Sequence, residues 1–152
     1  MKKVLLINGS PNEKGCTALA LEEIASTLKK RGIESDIKQI GKKPVAGCIA
    51  CYSCARTGRC AFNDAVNEII ESLDSYGALV VGSPVYYGSA TGQICCLLDR
   101  LFFAGGRLMD GKIGACVVSC RRGGASAAFD RLNKYFLMNN MPLASSQYWN
   151  QI

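Results

Sequence analysis

The chain has 152 residues, 49% apolar and 20% charged, which fits a single globular domain with a sizeable core and excludes a disordered chain. No apolar run approaches the roughly 20 residues that cross a bilayer. The complete absence of histidine removes every histidine-based triad, general base and metal site, while the net charge of +6 favours anionic cofactors or partners.

Lys3 to Asn8 is a continuous apolar run closed by Gly9-Ser10-Pro11, the pattern of a strand buried on both faces rather than of an export signal. A cytoplasmic protein without a membrane partner is therefore expected. Thr17 to Arg31 carries Leu19, Ala20, Ile24 and Leu28 at helical spacing, with Gly32 as its C-cap. Ile33 to Ile40 reads as a second strand. A Gly- and Cys-rich excursion follows over residues 41 to 63, with its insertion proper at about 44–63, long enough to be expected to carry function.

Asp64 caps a short helix through Leu73, and Gly77 to Gly82 is a third buried strand. Thr91 to Phe103 is helical, Lys112 to Ser119 is a fourth strand, Ser126 to Met138 is a helix, and Met141 to Trp149 opens a fifth strand. Strands alternating with helices predict one α/β domain over residues 1–152, a doubly wound parallel sheet of five strands. The sequence stops at Ile152, where such a domain ordinarily adds one more helix, so the last helix is expected to be missing or supplied by a partner chain.

Three loops leave the carboxyl ends of strands, where open α/β sheets bind ligands. The first, Gly9 to Ala18, joins a strand to a helix N-terminus, whose backbone N–H groups and dipole favour a phosphate. Ser10, Asn12 and Thr17 add donors, and Lys14 a charge. Cys16 stands where a Walker loop needs lysine, and no dinucleotide fingerprint is present. The second loop, Ser83-Pro84-Val85-Tyr86-Tyr87-Gly88-Ser89, offers two flat aromatic faces. The third, Ser119-Cys120-Arg121-Arg122-Gly123-Gly124, places Arg121 where it can donate to an electron-rich ring oxygen.

Together these loops resemble the NAD(P)H-dependent FMN reductase group of flavodoxin-like proteins, over essentially the whole chain. The loop with Cys48, Cys51, Cys54 and Cys60, spaced C-x2-C-x2-C-x5-C, narrows the resemblance to the iron–sulfur flavoprotein branch. It implies the strand order 2-1-3-4-5 with FMN at the switch point. By position, Ser10, Asn12, Cys16, Thr17 and Ala18 would surround the FMN phosphate. Pro84, Val85, Tyr86, Tyr87, Gly88 and Ser89 would line the isoalloxazine, and Ser119, Arg121, Gly123 and Gly124 would close over its pyrimidine side.

Nine cysteines in a reducing compartment argue for metal or redox chemistry rather than disulfides. Cys48, Cys51, Cys54 and Cys60 have the spacing C-x2-C-x2-C-x5-C, similar to a ferredoxin loop. The branch resemblance implies that they hold a [4Fe–4S] cluster. A zinc knuckle and a loop of free thiols remain the alternatives. Cys95, Cys96, Cys116 and Cys120 read as packing residues, Trp149 and the Phe102-Phe103 pair as core or interface, and Asp99–Arg100 as a local or inter-subunit ion pair.

The expected function is an FMN-binding oxidoreductase whose chemistry is carried by the flavin, with no catalytic side chain. Electrons would come from NADH, NADPH or a ferredoxin-like donor and pass to a small-molecule or protein acceptor, such as a quinone or nitro compound. A non-enzymatic electron carrier or a redox or zinc-binding module is the alternative. A homodimer or homotetramer is expected from the apolar surface such a chain leaves exposed. Nucleic acid is not, because the basic residues form no single stripe.

Overall fold

The computed structural model describes residues 2–40 and 42–147. In chain order the elements are β1 (Lys3–Asn8), α1 (Cys16–Lys30), β2 (Ser35–Gln39), α2 (Ser53–Thr57), α3 (Ala65–Ser72), β3 (Tyr76–Pro84), α4 (Gly92–Gly105), β4 (Ile113–Ser119) and α5 (Ala125–Leu137). The sheet is parallel throughout, in the order β2-β1-β3-β4.

Alternation along β1 and β3 divides the core in two, because successive strand residues face opposite sides of the sheet. Leu5, Ile7, Leu79 and Val81 pack against α3, α4 and α5, through residues such as Ile69, Leu97, Leu101 and Phe136. Val4, Leu6 and Val80 pack against Leu21 of α1, with Ile24 and Leu28 beside them. Leu19 corrects the expected α1 stripe. It points outward at 68% exposure, and the inward stripe runs through Thr17 and Leu21 instead.

The expected fifth strand is a second correction. Among the described residues the sheet has four strands, and after α5 the chain makes one parallel bridge, Gly114 to Leu143. Gly114 donates to the Pro142 carbonyl and Ala144 donates back to Gly114. Pro142 has no N–H of its own to extend that ladder, and residues 144 to 147 are exposed. Trp149 lies outside the described residues. Among the described residues, no helix is long and apolar enough to cross a membrane.

Candidate functional site

The β1–α1 loop is braced from beneath. The buried Asn8 side chain accepts from the Ser10 N–H at 2.9 Å, the Ser10 hydroxyl accepts from the Asn12 N–H at 3.1 Å, and the Asn12 carbonyl oxygen Oδ1 accepts from the Lys14 N–H at 3.1 Å. Gln39 on β2 donates to the Ser10 carbonyl at 2.6 Å. Thr91 caps α4, donates to the Gly9 carbonyl at 2.9 Å, and takes its own backbone bond to the Ser83 hydroxyl at 3.0 Å. Gly9 is required here by space: a Cβ would lie 2.7 Å from Ile94 Cβ and 2.9 Å from the Gly82 carbonyl.

Helix α1 opens without a cap. Gly15 at the N-cap has no side chain to accept its N–H groups, and the first turn carries no acidic residue. The N–H groups of Cys16, Thr17 and Ala18 and the positive end of a 15-residue helix therefore face an anion position, which fits a phosphate. Thr17 is buried and its hydroxyl bonds the Ser119 hydroxyl at 2.8 Å, joining the first loop to the third.

The second and third loops also meet. The Val85 N–H donates to the Ser119 carbonyl at 2.8 Å, and a Cβ on Gly124 would lie 2.8 Å from Gly88 Cα. Tyr86 and Ser89 exchange backbone hydrogen bonds around Tyr87 and Gly88, whose φ angles of 50° and 73° make a tight primed turn. Tyr86 and Tyr87 are both exposed, and so are Arg121 and Gly123. All three expected loops thus come to one edge of the sheet. Cys16 lies exposed at its rim, and so does Cys120, which corrects the expectation that Cys120 packs inside.

The cysteine loop forms a second locus. Cys48, Cys51, Cys54 and Cys60 line a single pocket together with Phe62, Arg100 and Phe103 of the neighbouring elements. Every cysteine of the chain is free. Among the described residues, no three Cys, Asp or Glu side chains are arranged to hold one metal ion. Four soft thiols on the walls of one pocket fit a larger thiolate-held group.

Two residues with no motif in the sequence fix Cys60, and a third, Asp64, holds one of them. Asn67 of α3, buried, accepts from the Cys60 N–H at 2.8 Å and donates to the carbonyls of Cys60 and Phe62 at 2.9 and 3.0 Å. Arg100 of α4 donates from Nε to Cys60 Sγ at 3.1 Å and grips Asp64 with both terminal nitrogens, at 2.7 and 2.9 Å. Burial works against the Arg100 charge, but its bonds to Asp64 and Cys60 outweigh that and raise its pKa. Burial likewise opposes the Asp64 charge, and the Arg100 and Val66 hydrogen bonds leave its pKa lowered.

Arg100 is not paired with Asp99, as its sequence neighbour suggested. Successive helix residues point about 100° apart, so Asp99 faces α5, where it accepts from the Tyr135 hydroxyl and lies 3.9 Å from Arg131. Phe102 stacks on Tyr135 inside the core, while Phe103 is half exposed and meets Tyr52 edge-on at the pocket mouth.

Comparison with known proteins gives the family and the fold. The family model for NADPH-dependent FMN reductases matches residues 2–151. An iron-sulfur flavoprotein of Methanocaldococcus jannaschii is 31% identical over 142 residues, covering 91% of this chain and 74% of that protein. One from Archaeoglobus fulgidus is 35% identical over 139 residues, covering 89% and 68%. Among solved structures, FerB, a flavoenzyme NAD(P)H:(acceptor) oxidoreductase of Paracoccus denitrificans, superposes with a TM-score of 0.72 at 18% identity, over 97% of this chain and 78% of its own. A flavodoxin from the domain Archaea gives 0.66 at 17% identity, over 95% and 79%. These two structures establish the fold as flavodoxin-like. With nearly every residue matched by the family model, the chain belongs to the NADPH-dependent FMN reductase family.

Proposed function

We propose that this chain is an FMN-dependent oxidoreductase that binds the flavin at the three converging loops and a [4Fe–4S] cluster in the cysteine pocket. Electrons from NADH, NADPH or a ferredoxin-like donor would leave through the cluster to a small-molecule or protein acceptor. The observation that carries the flavin reading is the uncapped start of α1 lying over the Thr17–Ser119 hydroxyl pair. The names of the archaeal relatives support the cluster, together with four free cysteines around one pocket.

In this reading the chain's residues bind and orient. The α1 N–H groups and the Ser10, Asn12 and Thr17 side chains hold the phosphate end. The Tyr86–Ser89 turn and the Ser119–Gly124 loop flank the ring system, with Arg121 donating to a ring oxygen. The chemistry supplied by bound FMN is the exchange between two-electron and one-electron transfer, which needs no side-chain acid or base. Cys48, Cys51, Cys54 and Cys60 would be the cluster's thiolate ligands. Assembly into a homodimer or homotetramer would cover the exposed Tyr52, Phe103 and Ile49 at the pocket mouth.

The test is a visible spectrum of anaerobically purified protein, with FMN, iron, sulfide and zinc counted per chain. Flavin bands, a broad iron–sulfur shoulder and about four iron per chain are expected. Flavin without iron reduces the protein to a plain FMN reductase. Bound FMN without turnover of NADH or NADPH points instead to an electron carrier.

A further inference from the structure

Arg100 is the most fully enclosed charge among the described residues, with its side chain 1% exposed. A guanidinium has five N–H donors, and each has an acceptor here. Nε reaches Cys60 Sγ at 3.1 Å. Nη1 reaches Asp64 Oδ2 at 2.7 Å and the Ala46 carbonyl at 3.3 Å. Nη2 reaches Asp64 Oδ1 at 2.9 Å and the Phe62 carbonyl at 3.5 Å. The Phe62 ring lies over the guanidinium carbon at 4.7 Å. The Asp64 fork sets the guanidinium plane, and with the plane set, Nε–H has one direction, toward the Cys60 sulfur.

We propose that Arg100 is a positioning residue that tunes the electron affinity of whatever Cys60 ligates, by donating Nε–H to its sulfur from a buried seat. The proposal rests on the cluster reading above. A hydrogen bond to a cysteine ligand draws electron density from the sulfur, and hydrogen bonds and net charge at the sulfurs are recognised determinants of cluster potential. Reduction adds one negative charge, so a cation held against one ligand favours the reduced form. Asp64 opposes it: its carboxylate offsets the Arg100 charge while holding the geometry. The two residues therefore act with opposite sign.

The experiment is a redox titration of the holoprotein, following the cluster by EPR and the flavin by absorbance, in wild type, Arg100→Met, Arg100→Lys and Asp64→Asn. Iron and FMN are counted for each. Arg100→Met is expected to shift the cluster's reduction equilibrium about tenfold toward the oxidised form, which is about 59 mV for a one-electron couple. Arg100→Lys keeps the charge but loses the fork, and should shift it less. Asp64→Asn should move it the other way, while the flavin stays at its wild-type potential in all three. If Arg100→Met fails to fold, the opposite shifts of Arg100→Lys and Asp64→Asn decide the matter. Iron-loaded variants with an unchanged cluster potential would overturn the role of Arg100 alone. A wild-type chain without iron would overturn the cluster reading first, and this inference with it.

Discussion

Thr17 and Ser119 are 102 positions apart, yet their hydroxyls share a 2.8 Å hydrogen bond beneath the open end of α1. The bond joins the loop after the first strand to the loop after the last of the four, so the proposed phosphate and ring positions would be held by one contact. Replacing Thr17 by valine keeps the side-chain shape and removes the hydroxyl. FMN binding should weaken by about 1–2 kcal/mol, the scale of one hydrogen bond to a charged group. Ser119→Ala should weaken it less, and the double variant by less than the sum, because the two hydroxyls are bonded to each other. Fluorescence titration of FMN measures all three. Unchanged affinity in Thr17→Val takes Thr17 out of the site.

Gly124 has a φ of 90° and sits against Gly88. An alanine there meets two penalties. The left-handed backbone costs a side chain about 1–2 kcal/mol, and the added Cβ must push the Tyr86–Ser89 turn away. Gly124→Ala is expected to lower thermal stability and to weaken FMN together, because the displaced turn flanks the ring. A variant that loses stability but binds FMN as tightly as wild type would separate that turn from the flavin.

These loops were legible in the sequence because their signals are local: an apolar run, then Gly-Ser-Pro or Ser-Pro-Val, then a helix. The roles of Thr91 and Gln39 were not, although both hold the first loop in place. Each is a lone polar residue whose partner lies on another element, and no spacing rule connects Gln39 to Ser10 or Thr91 to Gly9. Arg100 was misread for a related reason. Its neighbour Asp99 looks like a partner in the sequence, but helix geometry turns the two apart, and its carboxylate comes from Asp64, 36 residues earlier. The fifth strand was overestimated because Met141, Leu143 and the residues around them carry an apolar pattern that the structure meets with a single bridge.

The cysteine loop gives a clean contrast. Cys51 lines the pocket with Cys48, Cys54 and Cys60, whereas Cys95 sits on α4, outside that set. Cys51→Ser should abolish the iron–sulfur absorption and most of the bound iron while FMN stays bound. Cys95→Ser should leave the iron count unchanged. Iron that survives Cys51→Ser at the wild-type level would remove the cluster from this loop.

Cys116 on β4 is mostly buried beside Asn133, and burial pushes its thiol up to about 12. A group with a raised folded pKa favours the native state while it is neutral. That contribution is complete below the unfolded thiol value of about 8.5 and is lost as pH climbs toward the folded value. At pH 8 the buried Cys116 therefore stays a neutral thiol, whereas the thiolate is the reactive form. Alkylation of the native protein at pH 8, read site by site by mass spectrometry, should therefore label the exposed Cys120 and spare Cys116 until the chain is unfolded. Equal labelling of the two in the native state would mean that β4 opens to solvent far more readily than its packing against α5 implies.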